Sequence, residues 1–190
     1  MNQISAKQMD KIKKDMLFYN FNELNSNDNS KMVVKFHDNI DSVIYSDLQF
    51  YEGKEMFEYK KNILIEFIKK SLNKIAEDSC IIVKYNEKWV VNKEKSKELS
   101  EVLSNYSVRN NFNGGILIDK KSKIVELFIE SVLKYNSFIE IVFGNSQLII
   151  SPTDHMDIFF QARNIAEFKN IIIDIINEFG ENVLACELDC

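Results

Sequence analysis

The densest run of potentially reactive side chains is Ser151-Pro152-Thr153-Asp154-His155-Met156-Asp157. Histidine is the side chain whose ordinary pKa suits proton transfer near neutrality, and a neighbouring carboxylate such as Asp154 can orient its ring. Asp154 and Asp157 together could also hold a divalent cation. The same residue types are ordinary turn formers, however, and no second histidine or nucleophile stands at a recognisable spacing. A second pattern is Glu52-Gly53-Lys54, downstream of Asp38 and Asp41. Some metal-dependent nucleases use a carboxylate followed by Glu-x-Lys to hold magnesium and orient water. Glu58-x-Lys60 and Glu167-x-Lys169 repeat the pattern, so a chain rich in Glu and Lys yields it by chance. A metal-dependent hydrolase or nuclease using Asp154, His155 and Asp157, or Glu52 and Lys54, is therefore the alternative reading only.

Other candidates reduce to structure. Cys80, Cys186 and Cys190 are odd in number and form no CxxC pair, which predicts core or tail thiols, with neither a disulfide framework nor a zinc site. Asn113-Gly114-Gly115 lacks the spacing of a phosphate-cradling loop and reads as a turn feeding a strand. Lys11, Lys13 and Lys14 are interrupted by Asp10 and Asp15, the pattern of a solvated helix face. Tyr45, Phe50, Tyr51, Phe57 and Tyr59 lack the basic interleaving of a nucleic-acid platform. Most of them are expected in the core, with one or two left as exposed anchors at an interface. No metal, cofactor or nucleic acid is expected.

Charge carries the one functional lead. The formal net charge is −5, yet residues 135–190 hold nine carboxylates against only Arg163 and Lys169, which makes that segment −7. Phosphate binding needs Lys and Arg, so an acidic third opposes a nucleic-acid groove there. It favours a basic protein partner, because opposite charge raises association rate and specificity. The sequence reading is thus a small acidic binding protein, of the immunity or antitoxin type, that neutralises a basic toxin or nuclease. Its expected contact residues are Asp154, His155, Asp157, Glu178, Glu181, Glu187 and Asp189. The plainer alternative is that acidity keeps the protein soluble.

The elements that must carry these residues follow from periodicity. Ile165, Phe168, Ile172, Ile175, Ile176 and Phe179 recur at helical steps, between an Asn164/Glu167 start and a Gly180 stop. Leu64–Ala76, Ile124–Leu133 (opened by Asp119 or Ser122) and Leu99–Tyr106 are further helices. Ser5-x-x-Gln8 resembles a capping box for an N-terminal helix, which is expected to be peripheral along with the polar loop up to about residue 30. Hairpins are predicted at Cys80–Tyr85 with Lys88–Val91 and at Phe138–Phe143 with Gln147–Ile150. Met32–Phe36 with Ser42–Phe50 suggests another antiparallel pair, and Gly115–Ile118, Met156–Phe160 and Val183–Leu188 are single strands. Helix, strand, turn and strand recur twice, which raises a duplicated αββ unit.

With 45% hydrophobic residues, five glycines and one proline in 190 residues, the chain is neither disordered nor collagenous. The expected architecture is one α+β domain over residues 1–190, with a mainly antiparallel sheet and packed helices. Its predicted core includes Ile68, Leu72, Ile82, Trp89, Ile129, Leu133, Ile141, Leu148, Ile172, Ile176 and Phe179. The longest apolar runs fall far short of a membrane span, and Met1–Asp15 lacks signal-peptide character, so a cytoplasmic protein with no membrane partner is expected.

Overall fold

Met32, Val34 and Phe36 are buried while Lys31, Val33 and Lys35 are only half-buried, the two-residue period of a strand with one face on a core. That strand belongs to an eight-stranded sheet in the computed structural model, which describes residues 2–16, 31–37, 54–84, 97–105, 114–135, 139–180 and 182–188. In chain order the elements are β1 (Asn2–Ser5), α1 (Ala6–Asp15), β2 (Lys31–Phe36), α2 (Lys54–Lys74), β3 (Ser79–Lys84) and α3 (Lys97–Asn105). They continue as β4 (Gly114–Asp119), α4 (Lys123–Tyr135), β5 (Ile139–Phe143), β6 (Leu148–Pro152), β7 (Ile158–Ala162), α5 (Ile165–Glu178) and β8 (Leu184–Leu188). Strand order is β1-β4-β3-β5-β6-β7-β2-β8, and every pairing is antiparallel. The α+β fold with one antiparallel sheet is therefore as expected.

One face of the sheet carries the main core. There α2, α4 and α5 bury Phe67, Ile68, Phe128, Ile129, Ile172 and Ile175 against Ile82, Ile141, Ile150 and Phe160. Phe67 joins three elements, its ring 6.1 Å from both Phe160 and Phe179. Each of the predicted core residues that is described is buried or packs on this cluster; Trp89 lies outside the described residues.

The opposite face receives α1. Ser5 caps this helix reciprocally with Gln8, as the sequence implied. Met9 and Met16 are 2% and 1% exposed over Ile81, Val83, Val142 and Ile149. The N-terminal segment, expected at the periphery, thus supplies an edge strand and a packed helix. Its polar Asn2–Ser5 gave no strand signal because only Ile4 of the four is half-buried. Close approach is possible because β4 offers a glycine beneath the helix. A Cβ on Gly115 would lie 2.6 Å from Ile81 Cγ2 and 2.9 Å from Met9 Sδ.

Two predicted pairings are corrected. Ile81–Val83 has β4 on one side and β5 on the other, so β3 is a central strand and not half of a local hairpin. Likewise β2 lies between β7 and β8, leaving neither edge for Ser42–Phe50. Residues 42–50 and 88–91 lie outside the described residues. The β5–β6 hairpin does form. Hence α4-β5-β6 is a compact αββ unit, whereas after α2 and β3 the next described sheet strand, β4, comes only after α3. The supposed repeat is not two copies of one local hairpin.

Candidate functional site

Four backbone placements bring the candidate residues towards one end of the sheet. Val34 pairs with Ile158, where β7 begins, and Phe36 pairs with Leu184, where β8 begins. Beyond them His37 N–H donates to the Val183 carbonyl at 3.2 Å. The β6–β7 loop, Thr153–Asp157, and the turn between α5 and β8 therefore share this end, and Glu178 closes α5 just before that turn. Glu187 does not belong with them. It sits three residues further along β8, about 10 Å away by strand rise, and on the sheet face that α1 occupies.

The β6–β7 loop is a tight hairpin connection. Thr153 N–H donates to the Asp157 carbonyl at 2.9 Å, and Met156 N–H to the Thr153 carbonyl at 3.3 Å. Met156 takes the left-handed conformation, φ 65°, that closes such a loop onto a twisted ladder. Glycine would adopt it more readily, but the Met156 side chain is buried in the main core. The loop turns His155 out, 58% exposed, and Asp154 in, 8% exposed. His155 Nε2 lies 3.8 Å from Asp154 Oδ1, beyond hydrogen-bond range. Among the described residues no three His, Cys, Asp or Glu side chains gather as a metal site. Of the other enzymatic pair, Lys54 opens α2 as an exposed residue and Glu52 lies outside the described residues.

The acidic residues occupy three settings, with Glu178 in two of them, while Asp157 is half-buried at the end of the loop. Asp154 and Glu140 are buried and add nothing to a charged surface. Glu178 and Glu187 are exposed but paired: Lys70 of α2 donates to Glu178, and Lys35 of β2 lies 3.0 Å from Glu187. The Lys70 hydrogen bond and charge hold the Glu178 carboxyl below the usual carboxylate range. Glu181 and Asp189 lie outside the described residues. The third setting is the outer face of α5, where Glu167, Asp174 and Glu178 are all exposed. Spacings of seven and four residues put them on one stripe, about 10 and 6 Å apart along the axis. Ile165, Ile172, Ile175 and Ile176, on the far side of the helix, hold that stripe outward. Asn164 and Glu167, expected to cap α5 through the backbone, instead join side chain to side chain, with Asn164 Nδ2 donating to Glu167 Oε1 at 2.7 Å.

Glu167 and Asp174 were not among the expected contact residues, because the charge pattern drew attention to the loop and to residues 178–189. The signal was present: the same periodicity that placed the isoleucines inward places these acids outward. Of the aromatic group, Tyr59 is 56% exposed and Phe57 is buried, while Tyr45, Phe50 and Tyr51 lie outside the described residues. Two voids are lined by described residues. One, of about 10 Å³, lies between α2 and α5 and has room for roughly a single water. The groove along α3 is lined by Lys97, Ser100, Glu101, Ser104 and Asn105, all from that one helix.

No protein-family model, no curated protein and no solved structure matches the chain.

Proposed function

We propose that this chain is a small acidic binding protein that neutralises a basic protein partner, in the manner of an immunity or antitoxin-type inhibitor. The observation that carries the reading is the outward stripe of Glu167, Asp174 and Glu178 on α5, whose Glu178 end lies at the same end of the sheet as the β6–β7 loop. Three carboxylates spaced along one helix meet Lys and Arg side chains without reordering, which limits the entropy lost on binding. Opposite charge steers the encounter. Asp157 and His155 extend the contact at the loop end. Asp154 is buried and Glu187 lies elsewhere on the sheet, so neither belongs to this surface. Lys70 offsets part of the charge at Glu178.

The test is affinity capture from the source cell followed by titration of the recovered partner. A complex with one basic protein is expected to weaken with rising salt. Asp174→Asn with Glu178→Gln should cost about tenfold in affinity, mostly as slower association. Metal-dependent hydrolysis abolished by His155→Ala, with no partner recovered, would replace this reading with the hydrolase one.

A further inference from the structure

Strand β8 ends the sheet, and among the described residues no strand pairs with its outer side. The bond from His37 N–H to the Val183 carbonyl fixes the phase of the ladder. By alternation Ala185 and Glu187 spend their backbone groups on β2, while Leu184, Cys186 and Leu188 aim theirs outward. Natural edges are usually blunted by lysine, proline, a bulge or extreme shortness. Leu184-Ala185-Cys186-Glu187-Leu188 has none of the first three and runs for five residues. The other edge, β1, is four residues long and mostly polar.

We infer that β8 pairs with β8 of a second copy of this chain, antiparallel about Cys186, to give one continuous sheet across a two-fold axis. The strand is self-complementary in that register. Leu184 opposes the second copy's Leu188, Cys186 opposes its own counterpart, and Glu187 opposes Ala185. No like charges meet, and Glu187 is already balanced by Lys35 of its own chain. A register shifted by two residues would set Ala185 or Glu187 against its own twin, so the Cys186-centred one uses all five residues without repulsion. Such a contact is isologous and closes at two copies. This inference is independent of the acidic stripe on α5.

Ala185 allows a test that spares the monomer. Within one chain it lies directly opposite Lys35, so the glutamate of Ala185→Glu shares that lysine with Glu187. Across the two-fold axis the same change sets two glutamates against two others, in closely spaced pairs. Sedimentation equilibrium on the full chain should show a monomer–dimer equilibrium that Ala185→Glu weakens by roughly three- to thirtyfold, with unchanged circular dichroism. Oxidation of the Cys190→Ser variant should yield a disulfide-linked dimer, because the Cα separation of such a strand pair, about 5.5 Å, suits a disulfide. That product should vanish on adding Cys186→Ser. A chain that stays monomeric to about millimolar concentration, or a dimer that Ala185→Glu leaves unmoved, would overturn the inference.

Discussion

Replacing Gly115 with alanine probes how α1 is held to the sheet. The added methyl would stand 2.6 Å from Ile81 Cγ2 and 2.9 Å from Met9 Sδ, both well inside van der Waals contact. Met9 can swing its flexible thioether, but Ile81 is β-branched and 8% exposed, with one strongly preferred rotamer. The helix must then lift or the strand shift, and overpacking of this kind costs about 1–3 kcal/mol. For a chain of this length that is a fall of about 2–12 °C in midpoint, measurable by urea unfolding and by calorimetry. The pairwise nature of the clash gives a sharper check. Met9→Ala alone should cost about 2–5 kcal/mol through its cavity, and the double variant should lose less than the sum by about 1 kcal/mol, since alanine at 115 fills part of the space vacated. A Gly115→Ala protein within about 0.5 kcal/mol of the parent, or a strictly additive double variant, would refute this account of the docking.

Two further outcomes follow from buried ionisable groups. Lys61 is buried between Glu58 and Glu130, at 3.2 Å from the latter; burial disfavours its charge, but the two carboxylates outweigh that and raise its pKa. Burial likewise opposes ionisation of Glu130, yet Lys134 and Lys61 prevail and its pKa is lowered. A lowered carboxyl pKa stabilises the fold above its unfolded value, and that contribution disappears as pH falls from about 4.5 through the folded pKa. Denaturation followed from pH 6 to 3 should thus show a shallower acid decline in Glu130→Gln, which also costs about 1–2 kcal/mol at neutrality; identical acid profiles would exclude the pair as a contributor. Burial pushes the Cys80 thiol up to about 12 and the Cys186 thiol to about 11. At pH 8 a thiol reagent should therefore label Cys186 slowly and Cys80 only after unfolding, and rapid native labelling of Cys80 would contradict its burial.

What could be read from the sequence tracks how local the determining contacts are. α5 was legible nearly to its ends because its isoleucines repeat at helical steps and Gly180, at φ 94°, stops it. The first half of α2 was not legible, since its polarity pattern is inverted. Lys60 and Lys61 are buried, with the Lys60 ammonium 4.6 Å from the centre of the Phe36 ring, while Met56 and Tyr59 are exposed. The β5–β6 hairpin was legible because its turn is adjacent to both strands. Nothing local showed that Glu77, from the α2–β3 connection, grips that turn by accepting the N–H groups of Asn145 and Ser146. Pairing partners of β2 and β3 lie far away in sequence, where hydropathy carries no address. The charge total was right as a sum, but a sum cannot say that Asp154 and Glu140 point inward.

The position of β2 between β7 and β8 bears on how the chain is made. Both of its neighbours are encoded about 120 residues or more after it. At a synthesis rate of about 5–20 residues per second, roughly 6–24 s pass before the first of them emerges. Throughout that interval Met32, Val34 and Phe36, all buried in the finished fold, lack both of the strands they pair with there. Loop closure over such a separation must precede any reward from pairing, which slows this step relative to the β5–β6 hairpin. β2 is thus flanked on both sides only once β8, which begins about 150 residues after β2 ends, has been made, and until then the nascent protein carries a sticky, unsatisfied ribbon.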